Sequence, residues 1–232
     1  MHRPIPLRLS ATLACALLFA CQPNNSGVTP AAPANTPPPA AAQAKLTPLP
    51  GKETAVPALT ETKTVRLATT AGEVVIEVYP QAAPNAAKRF VELAQSGFYD
   101  DTPVSRVVAG FVAQFGINWR PPHRAWENRP FNDDPTLFSL ERGTLAFAKA
   151  GPNTNSTQVF INYKENNQLA DPQYNFTVFG KVVSGMDVVD RFAQVGDPRG
   201  GLDQTALWAD GGAYLESLTD KPTMIQKATV VE

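Results

Sequence analysis

Residues 151–162 read GPNTNSTQVFIN and join a polar turn directly to a predicted strand. Residues 151–156 are rich in small side chains that hydrogen-bond to their own backbone, which is typical of turns. Residues 158–162 carry β-branched and aromatic side chains and are typical of a strand. Because side chains alternate along a strand, Gln158 and Phe160 lie on the same face. Such a concentration of polar groups beside an aromatic ring is more than a simple connection requires.

Further short strands are predicted on both sides of this segment. TVRLATTAGEVVIEVY, from residue 64, is typical of two strands around a turn at residues 71–72, because its apolar residues alternate with polar ones. The other predicted strands cover residues 104–108, 111–114, 144–148, 177–182 and 227–232. Helical patterns occur only at residues 83–99 and 185–196. Many short strands with two helices predict an antiparallel barrel or sandwich in one domain, residues 61–232.

The N-terminus has the pattern of an export signal. Arg3 and Arg8 precede an apolar run over residues 9–20, which is too short to cross a membrane as a mature helix. Residues 1–20 resemble a bacterial lipoprotein signal peptide, which makes Cys21 the lipidated first residue of the mature chain. The bulky Phe19 departs from that pattern, and the alternative is an ordinary secretory peptide with an incidental cysteine. We therefore expect an exported protein, lipid-anchored to the cell envelope.

Residues 21–60 combine the lipidated cysteine with a segment rich in proline, alanine and threonine. This segment has no apolar periodicity, so we expect a disordered linker that holds the folded domain away from the membrane. A glutamine rather than an aspartate follows Cys21. In a host with two membranes, this favours the outer membrane, with the domain facing the periplasm.

The composition excludes several classes of function. A formal net charge of -1 and the absence of basic runs exclude a strongly basic nucleic-acid-binding protein. The cysteines, Cys15 and Cys21, lie in the signal or at its end, and His2 is removed with the signal. Only His123 then remains in the folded part, so a metal site of cysteines and histidines is impossible, and we expect no metal and no cofactor.

Two further stretches complete a recognisable pattern. SRVVAGFVAQFG at residues 105–116 and FTVFGKVVSGMDVVD at residues 176–190 accompany GTLAFAKAGPNTNSTQVFIN at residues 143–162. Together they resemble the cyclophilins, the peptidyl-prolyl cis-trans isomerases, in order from about residue 64 to residue 191. The resemblance implies a mainly β fold, an eight-stranded antiparallel barrel capped by two α-helices, with a substrate groove on its outer face.

The resemblance also implies the site. Arg106 corresponds to the catalytic arginine of the family. The residues implied to bind substrate are Val108, Phe111, Val112, Gln114, Ala148, Lys149, Gln158, Phe160, Leu169 and Phe176. Lys149 is expected to contact substrate largely through its backbone. Some positions depart from the family: Val112 replaces a more usual methionine, Phe115 a glycine, Gln168 a frequent tryptophan, and Phe176 a frequent histidine or tyrosine.

The chemistry of the residues agrees with this reading. Rotation about an X-Pro bond needs no nucleophile, metal or cofactor. It needs an apolar pocket that holds the proline ring and a donor directed at the amide nitrogen, which Phe111, Phe160, Leu169 and Arg106 can supply. We therefore expect a monomeric isomerase that acts non-covalently on flexible, proline-containing segments of exported polypeptides. The alternatives are a non-catalytic proline-binding module or chaperone on the same barrel, and a lipocalin-like carrier. The sequence does not indicate a role for residues 118–136 or 197–218.

Overall fold

The structure is a computed structural model, and it describes residues 46–231. The predicted signal peptide, Cys21 and the linker up to residue 45 lie outside the described residues. Within the described part of the chain, no helix has the length and the apolar character needed to cross a membrane. The same part contains no cluster of histidine, cysteine, aspartate and glutamate side chains that could hold a metal ion.

Eight antiparallel strands form a closed barrel. The strands are β1 Lys63–Thr69, β2 Gly72–Val78, β3 Thr102–Val108, β4 Val112–Phe115, β5 Thr144–Phe147, β6 Val159–Asn162, β7 Val178–Ser184 and β8 Met224–Val231. Their order around the barrel is β1-β2-β7-β5-β6-β4-β3-β8, and every pair is antiparallel. The predicted eight-stranded antiparallel barrel is confirmed.

The barrel interior is a packed core. Alternate residues of β1 and β2, such as Val65, Leu67 and Ile76, are almost fully buried, as the period-two pattern predicts. Helix α1, Pro84–Gln95, closes one end and places Phe90 against the ring of Phe179 at 5.1 Å between centroids. A lipocalin-like carrier would need a ligand cavity inside the barrel, and here side chains fill that space.

The described helices differ in number from the prediction. Besides α1 there are α2, Met186–Val189, and α3, Gln204–Ser217. Helix α2 is shorter than predicted and begins after Gly185, whose φ of 85° lies in the left-handed region. Helix α3 was not predicted, because its backbone breaks at Asp210 and glycines follow the break. Gly211 lets α3 pack closely against Trp119, because a Cβ at this position would collide with the indole ring.

Residues 46–59 differ from the predicted linker, because they pack against the barrel. Leu46 is buried, and Val56 and Leu59 contact the same apolar cluster. The backbone of this segment pairs with the chain before β5: Ser139 N–H donates to the Thr47 carbonyl at 2.9 Å, and Leu49 N–H donates to the Leu137 carbonyl at 2.8 Å. Apolar residues between the prolines therefore give an extended segment enough contacts to dock.

Candidate active site

The cross-strand register brings the predicted site residues together. Arg106 on β3 pairs with Gln114 on β4, Gln114 pairs with Phe160 on β6, and Phe160 pairs with Ala146 on β5. Residues paired directly across adjacent strands point to the same face of a sheet. A cation, an amide and an aromatic ring therefore form a row on the outside of the barrel.

This row borders a pocket of about 270 Å³. Its lining residues are Arg106, Phe111, Val112, Gln114, Ala148, Lys149, Phe160, Leu169 and Phe176. All of these belong to the predicted set. The predicted residues outside the lining are Val108, which ends β3 opposite Val112, and Gln158, which lies next to Gln114 and contacts its amide. Val108 lies on the same face of β3 as Arg106, but it does not line the pocket.

The apolar walls of the pocket support one another. Phe160 is only 4% exposed and meets Phe176 edge to face, with 5.5 Å between ring centroids. Leu169 lies on a short 3-10 helix, Asn167–Ala170, and its carbonyl accepts a hydrogen bond from Phe176 N–H at 3.0 Å. This bond joins two walls that come from one loop. Gln168, one of the departures from the family pattern, does not line the pocket.

Arg106 is a half-buried cation, and among residues 46–231 only neutral groups contact its guanidinium. Its Nε–H donates to the carbonyl of Arg199 at 2.5 Å, and Nη1 donates to Oε1 of Gln114 at 3.3 Å. The guanidinium also lies 5.8 Å from the ring centre of Phe111. No carboxylate within residues 46–231 pairs with it, and burial lowers the pKa of the guanidinium. The charge is therefore not neutralised by an ion pair and can act on a bound substrate.

Lys149 fixes the loop beside the pocket through its side chain. The side chain of Lys149 is 4% exposed, and its ammonium lies 2.7 Å from Oδ2 of Asp133 and donates to the Asn175 carbonyl at 2.9 Å. Burial raises the pKa of Asp133, but the hydrogen bonds from Lys149, the Asn153 backbone and Asn155 outweigh it, so the pKa is lowered overall. The ammonium is therefore engaged within the loop, and the expected backbone contact of Lys149 with substrate stays a prediction.

The amides form a chain of hydrogen bonds that ends at an unpredicted residue. Gln114 Nε2 donates to Oε1 of Gln158 at 2.8 Å, and Gln158 Nε2 donates to Oε1 of Gln204 at 3.1 Å. Gln204 begins α3, and Arg199 belongs to the turn before that helix. No motif marks either residue, so sequence reasoning missed both contacts.

Comparison with known proteins agrees with this geometry. The family model described as "Cyclophilin type peptidyl-prolyl cis-trans isomerase/CLD" matches residues 64–206. Peptidyl-prolyl cis-trans isomerase A of Dickeya dadantii is 34% identical over 180 residues, which are 75% of this chain and 88% of that protein. A peptidyl-prolyl cis-trans isomerase of Acinetobacter baylyi is 35% identical over 144 residues, 60% of this chain and 77% of that protein.

The fold has a counterpart among crystal structures. A cyclophilin type peptidyl-prolyl cis-trans isomerase of Cryptosporidium parvum superposes with a TM-score of 0.55 at 22% identity. The superposition covers 74% of this chain and 99% of that protein. Taken with the matches of sequence, this chain belongs to the cyclophilin-type peptidyl-prolyl cis-trans isomerase family.

Proposed function

We propose that this protein accelerates cis-trans rotation of X-Pro bonds, with Arg106 as the donor that stabilises the transition state. The observation that carries the proposal is the half-buried guanidinium, free of any carboxylate in the described part of the chain, beside an apolar pocket. The pocket volume of about 270 Å³ is large enough for a proline ring and the backbone next to it, and too small for a bulkier ligand. Family membership supports the same activity.

Resonance in the amide explains why such a donor accelerates rotation. In the planar ground state the nitrogen shares its lone pair with the carbonyl, and this sharing creates a barrier of about 18–20 kcal/mol. At the top of the barrier the lone pair is localised on nitrogen and can accept a hydrogen bond. A donor aimed there stabilises the twisted state more than either planar state, which is the condition for catalysis.

The pocket walls hold one side of the X-Pro bond in place while the other side rotates. Phe160, Phe176 and Leu169 can hold the pyrrolidine ring, while the chain before the proline turns about the X-Pro bond. Gln114, beside Arg106, offers an amide to the substrate backbone. Every step is a rotation and a change in hydrogen bonding, so no covalent intermediate forms.

A direct test is to follow the cis-to-trans exchange of an uncharged X-Pro peptide by NMR with the full chain present. We expect exchange that is faster than the uncatalysed tens to hundreds of seconds. Binding of the peptide without faster exchange would instead support the proline-binding module or chaperone. The natural substrates that we propose are flexible, proline-containing segments of exported polypeptides, and we propose that the protein acts as a monomer, which light scattering tests.

We further propose that the chain is exported and anchored through lipid on Cys21. The support is the sequence of residues 1–21, with its basic start, apolar run and terminal cysteine. Lipid on one cysteine anchors stably when two or more acyl chains are attached, because a single chain holds only weakly. The full-length protein should sediment with bacterial membranes, and Cys21→Ser should release it. A wild-type protein that stays soluble and carries no lipid would contradict this proposal.

A further inference from the structure

The turn before α3 is built against the strand that carries Arg106. Asp197 and Gly201 exchange two backbone hydrogen bonds, each 2.8 Å long. Oδ1 of Asp197 accepts from the backbone N–H groups of Arg199 at 2.9 Å and Gly200 at 2.5 Å. This carboxylate therefore determines the shape of the turn and the direction of the Arg199 carbonyl.

Gly201 allows this turn to touch β3 directly. Its φ is +77°, in the left-handed region, and an added Cβ would lie 2.6 Å from Cα of Arg106. The same Cβ would also collide with the carbonyl of Ser105, which accepts a hydrogen bond from Leu202 N–H at 2.8 Å. A Cβ–Cα distance below 3.0 Å requires something to shift, so only glycine permits this packing.

As a result, two of the three nitrogens of the Arg106 guanidinium donate hydrogen bonds to the described residues, and the third does not. The Arg199 carbonyl accepts from Nε, and Gln114 accepts from Nη1. The structure gives Nη2 no partner among the described residues. A planar guanidinium with two of its nitrogens fixed cannot rotate freely about its last torsions, so the direction of the third is determined.

Gln204 extends the same control to Gln114. The amide of Gln204 accepts from Gln158, which accepts from Gln114, which accepts from Arg106, so all donors point the same way along the chain. Hydrogen bonds in such a chain polarise one another and favour one orientation of every amide. Residues 196–204 thus contact the arginine directly and its amide partner indirectly.

We propose that residues 196–204 are a positioning element for Arg106: the neutral Arg199 carbonyl holds Nε, Gln204 supports Gln114 through Gln158, and Nη2 is left for the substrate. This inference rests on the proposed isomerase function and adds residues to its site. Neutral acceptors matter because a carboxylate in the same place would orient the arginine but compensate its charge.

Three variants test the role through kinetics. Asp197→Ala loosens the exposed turn, Gly201→Ala forces it away from β3, and Gln204→Leu ends the amide chain one residue earlier. Asp197→Ala and Gly201→Ala should each lower kcat for an X-Pro peptide about tenfold, because misplacing a donor by a fraction of an ångström affects mainly the transition state. Gln204→Leu acts only through Gln158 and Gln114 and should lower kcat by about threefold, and Kd should stay within about twofold in every variant. Asp187→Ala removes another exposed aspartate, from the first turn of α2, and serves as the control.

A second readout does not depend on activity. In a 15N spectrum, the Nε–H of Arg106 should exchange slowly with solvent in the wild-type protein and quickly in Asp197→Ala and Gly201→Ala. Asp197→Ala tests this even if Gly201→Ala fails to fold, since the carboxylate that it removes is exposed.

The outcomes separate the two proposals. Full kcat in all three variants, together with loss of activity in Arg106→Ala, would overturn the positioning role and leave the isomerase function intact. A wild-type protein without isomerase activity would refute the proposed function. The exchange rate of the Arg106 Nε–H would then still show whether the turn holds the guanidinium through the Arg199 carbonyl. Equal exchange in the wild type and Asp197→Ala would overturn the inference in either case.

Discussion

Gln114→Glu tests whether Arg106 must remain free of an ion pair. The Gln114 Oε1 lies 3.3 Å from Nη1 of Arg106, so a carboxylate oxygen in its place would be a direct partner. At an effective dielectric constant of about 20, two unit charges at that distance attract by about 5 kcal/mol. That attraction would hold the guanidinium on the carboxylate and compensate the charge that the substrate needs.

The expected loss of activity is smaller than this attraction, because the guanidinium keeps its Nη2 donor. A charge-assisted hydrogen bond is about twice as strong as a neutral one, so compensation should remove about 1.4 kcal/mol of transition-state stabilisation, or about tenfold in kcat/KM. Gln114→Leu removes the amide without adding charge and should lose less activity than Gln114→Glu. Gln226→Glu adds the same charge at an exposed position of β8 and should be silent.

The assay is NMR exchange of an uncharged X-Pro peptide, with thermal unfolding recorded for every variant to exclude loss of fold. Acid gives a further check on the cause. Protonation of the new glutamate would restore a neutral acceptor, but the ion pair with Arg106 lowers the pKa of this carboxyl, so the deficit should persist at about pH 4, where an unpaired glutamate would already be largely protonated. Wild-type kcat/KM in Gln114→Glu, at a pH where its carboxylate is charged, would refute the claim that an unpaired guanidinium is required.

Three other properties follow from the described contacts. Asp133→Asn leaves the Lys149 ammonium buried and unpaired, and should lower the free energy of unfolding by about 3 kcal/mol at pH 7. Because the folded pKa of Asp133 is lowered, its contribution is present above its unfolded pKa and is lost as the pH falls, so urea unfolding should show wild type and variant converging below about pH 4. Arg89→Ala removes donors to two backbone carbonyls and contacts with two aromatic rings, and should cost about 2 kcal/mol in the same assay. His123→Ala should leave kcat/KM flat between about pH 5 and 9, as in the wild type, because His123 packs on Phe98 and does not line the pocket.

The barrel and the pocket walls were predictable because they depend on local patterns. Arg106, Gln114 and Phe160 each lie on a strand with period-two alternation and inside a motif that resembles one family. Once β3 and β4 form a hairpin around the turn at Gly110, the register places Arg106 beside Gln114 without further information.

The parts of the site and fold that the sequence did not indicate depend on contacts between residues far apart in sequence. Arg199 contributes its main-chain carbonyl, which every residue type possesses, so no side-chain pattern could indicate it. Gln204 is an isolated amide, and it reaches Gln158 only because the turn docks on β3. Leu46 belongs to a proline-rich segment typical of linkers, yet its side chain joins an apolar cluster, and the backbone of the following residues, Thr47 and Leu49, pairs with the chain before β5.

Arg106→Ala shows whether Arg106 lowers the barrier to X-Pro rotation. Peptide exchange and peptide binding should be measured on the same samples, together with the midpoint of thermal unfolding. Removing one preorganised donor to a transition state costs about 100-fold or more in kcat, and we expect at least that loss with a Kd within about threefold of wild type and an unchanged midpoint. A folded Arg106→Ala protein that retains kcat within about twofold of wild type would show that Arg106 does not lower this barrier.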